Sequence, residues 1–270
     1  MTLLRAAIVD LKRLEYLAEG NSAIHNLDAR AKVLVTLVFI TSVVSCNRYE
    51  LSRLLPFCVF PAVMIARANL PALYLAKKIM LICPFIIMMG LFNPLFDRTA
   101  LYQIGKLSIS GGWISFFSLF TRSLLTVSAA FILIATTGFP AVCQALEKLG
   151  VPQIFSVQLL FLNRYIFVLA DETGRASRAR ELRSCGKSGL GITSHGSLIG
   201  HLLLRTWQRA ERIHTAMLAR GFVGKFHSQR YSYFGSSDLG FVIGWSALFI
   251  LFRSVDLSGY LGGVATELFL

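Results

Sequence analysis

The residue types that can do chemistry are concentrated in one polar stretch, residues 164–230, of an otherwise apolar chain. Within this stretch, Gly186-Lys187-Ser188 matches the end of a phosphate-binding loop, in which backbone amides and a lysine hold nucleotide phosphates. The full pattern also needs a glycine at position 181, where this chain has Glu181, and a strand ahead of it, which we do not predict. We therefore do not expect this chain to bind or hydrolyse nucleotide.

The sequence also lacks the patterns of a catalytic or metal centre. Its adjacent carboxylates are Asp171 and Glu172, and no H-E-x-x-H motif or acidic cluster of the kind used by membrane metalloproteases occurs. Four histidines of the polar stretch lack ligand spacing and are interpreted as surface residues: His195, His201, His214 and His227. The five scattered cysteines are interpreted as small buried hydrophobes. We expect no catalytic residue, metal site or cofactor in this chain.

The polar stretch carries most of the chain's formal charge of +13, since it contains twelve basic and four acidic residues. Such a surface could bind anionic lipid, nucleic acid or a protein partner. Nucleic-acid binding would favour exposed aromatic residues among the basic ones in a soluble fold. Trp207 alone is weak support for nucleic-acid binding. The choice among the three kinds of partner therefore depends on the segments that flank the polar stretch.

Those flanking segments indicate a membrane protein. The chain is 55% hydrophobic and only 15% charged, against roughly 25% charged residues in soluble domains. We predict an all-α integral membrane protein with about five transmembrane helices at residues 33–47, 54–66, 79–96, 113–137 and 239–252. The corresponding regions are an N-terminal segment 1–32, a four-span region 33–137, an insert 138–230, and a last span with its tail, 231–270.

Basic residues near the ends of the spans orient the chain. Arg30 and Lys32 before the first span, and Lys77-Lys78 before the third, place the N-terminus and the insert in the cytoplasm by the positive-inside rule. Whether residues 154–170 enter the membrane stays open. Arg122, inside the fourth span, is expected to snorkel to the interface or to face a partner helix.

The best-defined helix of the insert is predicted at residues 197–220, ending before Gly221 because glycine is preferred just past a helix end. Five of its apolar residues share one face: Ile199, Leu203, Ala210, Ile213 and Met217. Three arginines form a separate basic face: Arg205, Arg209 and Arg212. A second helix, 171–185, also ends in an arginine followed shortly by glycine. An Ala-Arg-Gly sequence alone is more typical of an ordinary helix end than of a docking motif. A basic face is equally typical of a solvated surface or one that meets lipid headgroups.

Taken together, the chain resembles the CbiQ/EcfT family, the transmembrane T component of energy-coupling factor importers of vitamins and metals. The resemblance rests on the block Asn21-Ser22-x-x-His25-x-Leu27-Asp28-x-Arg30-x-Lys32, on the span layout with its basic insert, and on Ala219-Arg220-Gly221. The N-terminal block is most similar to the cobalt and nickel branch. Two departures are Asp28-Ala29-Arg30 in place of Asp-Pro-Arg, and Leu182-Arg183-Ser184 as the first arginine motif.

The resemblance implies that the insert forms coupling helices that cross on the cytoplasmic face of a bacterial inner membrane. Two arginine motifs would dock into two ATP-binding-cassette subunits, which would bind ATP and Mg²⁺, and the membrane side would hold a separate substrate-binding subunit. The implied docking residues are Leu182, Arg183, Ser184, Ala219, Arg220 and Gly221. A stand-alone permease or an integral membrane enzyme are the alternatives.

Overall fold

The computed structural model describes residues 2–47, 51–96, 100–104, 107–183, 192–224 and 234–254. Its ten α-helices in this part of the chain are α1 Thr2–Ala18, α2 Ala29–Val44, α3 Val59–Arg67, α4 Ala72–Gly90, α5 Phe92–Phe96, α6 Gly111–Thr137, α7 Phe139–Lys148, α8 Gln153–Arg183, α9 Ile192–Ala219 and α10 Ser236–Ser254. A 3-10 helix, Ser52–Cys58, precedes α3, and two short strands, β1 Ala100–Ile104 and β2 Leu107–Ser110, form an antiparallel hairpin.

The chain divides into two compact units. The first comprises Met1–Arg13 and Cys143–Tyr231, and the second comprises Leu14–Val142 and Ser232–Leu270. The insert predicted from the sequence therefore lies largely in the first unit, and the predicted spans lie in the second.

The core of the second unit is built around α2, which packs against α6 and α10. Four phenylalanines are almost completely buried there, and their rings stack or meet edge to face: Phe39, Phe57, Phe60 and Phe249. Aromatic pairs at such distances add to the free energy gained by burying their area. The 3-10 helix contributes two buried residues to this core, Leu54 and Phe57.

The predicted helical membrane fold is confirmed. In the described residues, four helices are long and apolar enough to cross a membrane: Ala72–Pro94, Gly111–Thr137, Gln153–Arg180 and Ser236–Ser254. Two of the five predicted spans differ from this set. The α2 helix has 16 residues, about 24 Å at 1.5 Å per residue, against a bilayer core of about 30 Å. Residues 54–66 are divided between the 3-10 helix and α3.

In the first unit, α8 is one continuous helix of 31 residues. It joins the apolar residues 154–170, whose membrane insertion the sequence left open, to the polar residues that follow them. Its neighbour α9 has 28 residues and begins before the predicted start at residue 197. Of the predicted docking residues, Leu182 and Arg183 lie at the end of α8 and Ala219 lies at the end of α9. Arg220 and Gly221 lie in the turn that follows α9.

Candidate functional site

The C-terminal end of α9 positions Arg220 at an exposed turn. Gly221 has φ +77°, a conformation that glycine adopts without steric cost. Its N–H donates to the Leu218 carbonyl at 2.9 Å, and the Phe222 N–H donates to the Met217 carbonyl at 3.0 Å. This hydrogen-bond pair is a Schellman motif, which closes a helix and satisfies its last carbonyls. Arg220 therefore stands on a fixed turn, with its side chain exposed.

The end of α8 presents the other arginine of the predicted docking set. Arg183 is the last residue of α8 and is exposed, as is Leu182. Arg180 and Arg183 both lie in the last helical turn, where cations interact favourably with the helix dipole. Ser184 lies outside the described residues, so the final residue of this motif stays a prediction.

A buried carboxylate joins α8 to α9. Glu172 of α8 pairs with Arg205 Nε and Arg209 Nη1 of α9, each at 2.8 Å. The Glu172 side chain is 5% exposed, whereas Arg205 is 68% and Arg209 32% exposed. A buried carboxylate is stable only when it is paired, so these two arginines fix where the helices meet. The predicted basic face thus has two parts: Arg205 and Arg209 bind α8, and Arg212 is exposed.

An apolar groove of about 470 Å³ lies between α8 and α9. The α8 side supplies Phe161, Tyr165 and Leu169, and the α9 side includes Trp207, whose indole N–H donates to Glu211 Oε1 at 2.8 Å. Of the apolar face predicted for this helix, four residues line the groove: Leu203, Ala210, Ile213 and Met217. The fifth, Ile199, does not line the groove, and its side chain is exposed, as is that of Leu203.

The N-terminal motif folds as a hydrogen-bonded turn in the second unit. The Ser22 hydroxyl meets His25 Nδ1 at 2.7 Å, and His25 Nε2 meets the Leu17 carbonyl at 3.0 Å. A carbonyl only accepts, so Nε2 carries the proton and Nδ1 accepts from Ser22. Burial lowers the pKa of His25. Asp28 then caps α2, because its Oδ1 accepts from the Arg30 N–H at 3.0 Å.

Two charged residues of this region, Lys32 and Asp238, are buried. Lys32 Nζ donates to the carbonyls of Thr136 at 3.0 Å and His25 at 3.4 Å. Asp238, at the start of α10, accepts from the Asp28 N–H at 2.8 Å and the Gly235 N–H at 2.9 Å. The N-terminal motif therefore contacts the end of α6 and the beginning of α10.

At the opposite end of α2, Arg122 contacts the turn that follows this helix. Its guanidinium donates to the Cys46 carbonyl at 2.9 Å. Arg253 donates to the carbonyl of the preceding residue, Ser45, also at 2.9 Å. Arginines at a helix C-terminus satisfy its free carbonyls and oppose its dipole. Arg122 therefore contacts the end of a neighbouring helix, and its expected position near the membrane interface stays a prediction.

Comparison with known proteins identifies the family. The model of the cobalt transport protein family CbiQ matches residues 20–232, which include the N-terminal motif, both long helices and Arg220. The chain belongs to the CbiQ family. It is accordingly a membrane component of a transporter.

Relatives of this CbiQ family member include both named and uncharacterized proteins. An uncharacterized protein of Methanocaldococcus jannaschii is 26% identical over 212 residues, 75% of this chain and 72% of that protein. The energy-coupling factor transporter transmembrane protein EcfT of Ruminiclostridium cellulolyticum is 27% identical over 219 residues, 76% of this chain and 81% of that protein. The cobalt transport protein CbiQ of Salmonella typhimurium is 32% identical over 110 residues, 40% of this chain and 48% of that protein.

Sequence reasoning missed two residues that organise this CbiQ chain, Glu172 and Asp238. From the sequence, Glu172 is one of two adjacent carboxylates, and Asp238 directly precedes the predicted last span. The signals that could have found them are an acid surrounded by arginines, for Glu172, and an acid in the first turn of a helix, for Asp238. Among the described residues, no three His, Cys, Asp or Glu side chains cluster as a metal site.

Proposed function

We propose that this chain is the coupling subunit of an ATP-driven energy-coupling factor importer. In this role it transmits motions of two ATPase subunits to a separate membrane subunit that binds the substrate. The observation that carries the proposal is the exposure of Arg183 and Arg220 at the ends of two long helices, which Glu172 joins through Arg205 and Arg209. A linked helix pair can pass a displacement at its ends along both helices.

Arginine suits such a docking contact because its planar guanidinium presents several donors in a rigid fork that matches a carboxylate. In the proposed complex, Leu182-Arg183-Ser184 and Ala219-Arg220-Gly221 each enter a groove of one ATPase subunit. ATP and Mg²⁺ bind to those subunits. This arrangement requires the insert, residues 138–230, to lie on the cytoplasmic side of a bacterial inner membrane, as its charge and that of Lys77-Lys78 favour.

Cobalt is the substrate that we propose for the complete importer, with nickel as the next candidate. The proposal is supported by the description of the matching family model and by the name of the Salmonella typhimurium relative. Selection of the ion is assigned to the substrate-binding subunit.

A stand-alone permease is the alternative function. It requires polar or ionisable side chains inside several spans to line a substrate path. Arg122, the ionisable residue within α6, instead donates to carbonyls at the end of α2. This contact favours a structural use of its charge.

Co-purification of the chain with its ATPase subunits tests the docking role. Arg220→Glu should reduce binding of the ATPase subunits by about 30-fold or more, because removing one member of a buried charged pair costs roughly 2–5 kcal/mol. Arg178→Glu is the matched control, since Arg178 is also exposed but donates to Gly174 within α8. Undiminished assembly of the Arg220→Glu protein would refute the docking role.

A further inference from the structure

The insert is joined to the second unit at two places. The chain leaves that unit after Val142, shortly beyond the end of α6, and returns to it ahead of α10. After α6, the chain passes between the two units at these two connections, so they are two covalent routes by which a movement of the insert reaches the second unit. The residues that hold the end of α6 and the start of α10 therefore determine how rigid the connections are.

Lys32 holds the first connection. It is 3% exposed, and its ammonium donates to the carbonyl of Thr136, the penultimate residue of α6. The last carbonyls of a helix have no N–H donor within the helix, so the bond from Lys32 secures a turn that would otherwise fray. Because burying an ammonium is unfavourable unless it is well bonded, an apolar residue would fill this position at lower cost if packing were the only requirement.

Asp238 holds the second connection. It is 6% exposed, and one carboxylate oxygen accepts from the N–H of Gly235, the residue that precedes α10. The other oxygen accepts from the N–H of Asp28, which caps α2. One carboxylate thus satisfies donors at the N-termini of two helices, where negative charge is favourable, and fixes α10 to α2.

Both connections converge on one short segment, because Lys32 lies one helical turn after Asp28 and also donates to the His25 carbonyl. We propose that His25, Asp28, Lys32 and Asp238 form a clamp that fixes to α2 the two helix ends that flank the insert, the end of α6 and the start of α10. The clamp keeps a movement of the insert from being absorbed by fraying of α6 or α10, and so delivers it to the core of the second unit. Lys32 and Asp238 are positioning residues in this scheme, which rests on the proposed coupling function.

The test uses the complete importer, reconstituted with its ATPase and substrate-binding subunits in lipid vesicles. Assembly, ATP hydrolysis and Co²⁺ uptake are measured on the same preparations of wild type, Lys32→Met and Asp238→Asn. We expect assembly and ATP hydrolysis within about twofold of wild type, and at least a tenfold loss of Co²⁺ taken up per ATP hydrolysed. Lys77→Met, which alters an exposed lysine of α4, should leave this ratio unchanged.

If Lys32 and Asp238 only stabilise the fold, uptake and ATP hydrolysis should fall together with the amount of assembled complex. An unchanged ratio of uptake to hydrolysis in Asp238→Asn would overturn the clamp. This variant decides the matter if Lys32→Met does not fold, because asparagine keeps the size of the side chain and one acceptor oxygen. Failure of the proposed function is distinguishable, since the wild-type complex would then show no ATP-dependent uptake at all.

Discussion

Ala29 occupies the position at which this chain departs from the Asp-Pro-Arg sequence typical of its family. It is the first residue of α2, directly after the capping residue Asp28, whose backbone has φ −58° and ψ 136°. Proline is favoured at the first helical position because the N–H there has no partner within the helix, and the preceding residue must be extended, as Asp28 is. The departure therefore leaves the local structure of the motif intact.

Restoring the proline should stabilise the protein. Ala29→Pro is expected to raise the free energy of unfolding by about 0.4–1 kcal/mol, because proline restricts the unfolded chain at a position it fits. Leu37→Pro is the control, since it lies inside α2 and should cost about 3 kcal/mol. Thermal unfolding of the purified protein in detergent measures both. A lower unfolding temperature for Ala29→Pro would show that the motif is not the helix start described above.

His25 makes the stability of the same turn depend on pH. Burial lowers its pKa, the charge of Lys32 lowers it further, and the hydrogen bond to the Leu17 carbonyl opposes both. A lowered pKa means that the neutral ring is preferred in the folded protein. The stability that the neutral ring contributes is complete above the pKa of histidine in the unfolded chain, about 6.5. It is lost as the pH falls through the lower pKa of His25 in the folded protein.

The expected result is an unfolding temperature that decreases between pH 7.5 and pH 5, with a smaller decrease in His25→Gln. Glutamine cannot be protonated in this range, so the difference between the two curves isolates the histidine. Parallel curves for the two proteins would contradict a role for His25 in the pH dependence.

At the scale of elements, the paired helices α8 and α9 depend on one acid. Glu172→Gln should weaken their contact by about 1.5–3 kcal/mol, the range for hydrogen bonds to charged groups, and toward the lower end because Arg205 is largely exposed. Amide hydrogen exchange should therefore become faster in α9. Asp171→Asn is the matched control, because Asp171 is adjacent but exposed. Equal exchange in the two variants would contradict the pairing.

Local features of these elements follow from the sequence, and contacts between them do not. The end of α9 was predictable, because Gly221 supplies the φ that a helix-closing turn needs. The pairing of Glu172 with Arg205 and Arg209 was not, since it depends on how two consecutive helices pack against each other. The length of α2 could not be predicted either, because an apolar run does not show that Asp28 and Arg122 bind the backbone at its two ends.

At the scale of the whole molecule, most polar contacts described above serve to fix helices rather than to bind a substrate. The central helix α2 is held at one end by Lys32 and Asp238, and at the other by Arg122 and Arg253. Such a frame resists deformation, whereas exposed arginines at helix ends are available to a partner. The division of roles agrees with a subunit that transmits movement between other proteins.

The most direct test of the coupling function compares Co²⁺ uptake into vesicles that contain the chain alone with uptake into vesicles that contain the chain, its ATPase subunits and its substrate-binding subunit. We expect ATP-dependent uptake by the complete assembly and none by the chain alone, in the presence or absence of ATP. Removing any one of the subunits should abolish the signal. Uptake by the isolated chain at the rate of the complete assembly would contradict the coupling function and establish a stand-alone permease.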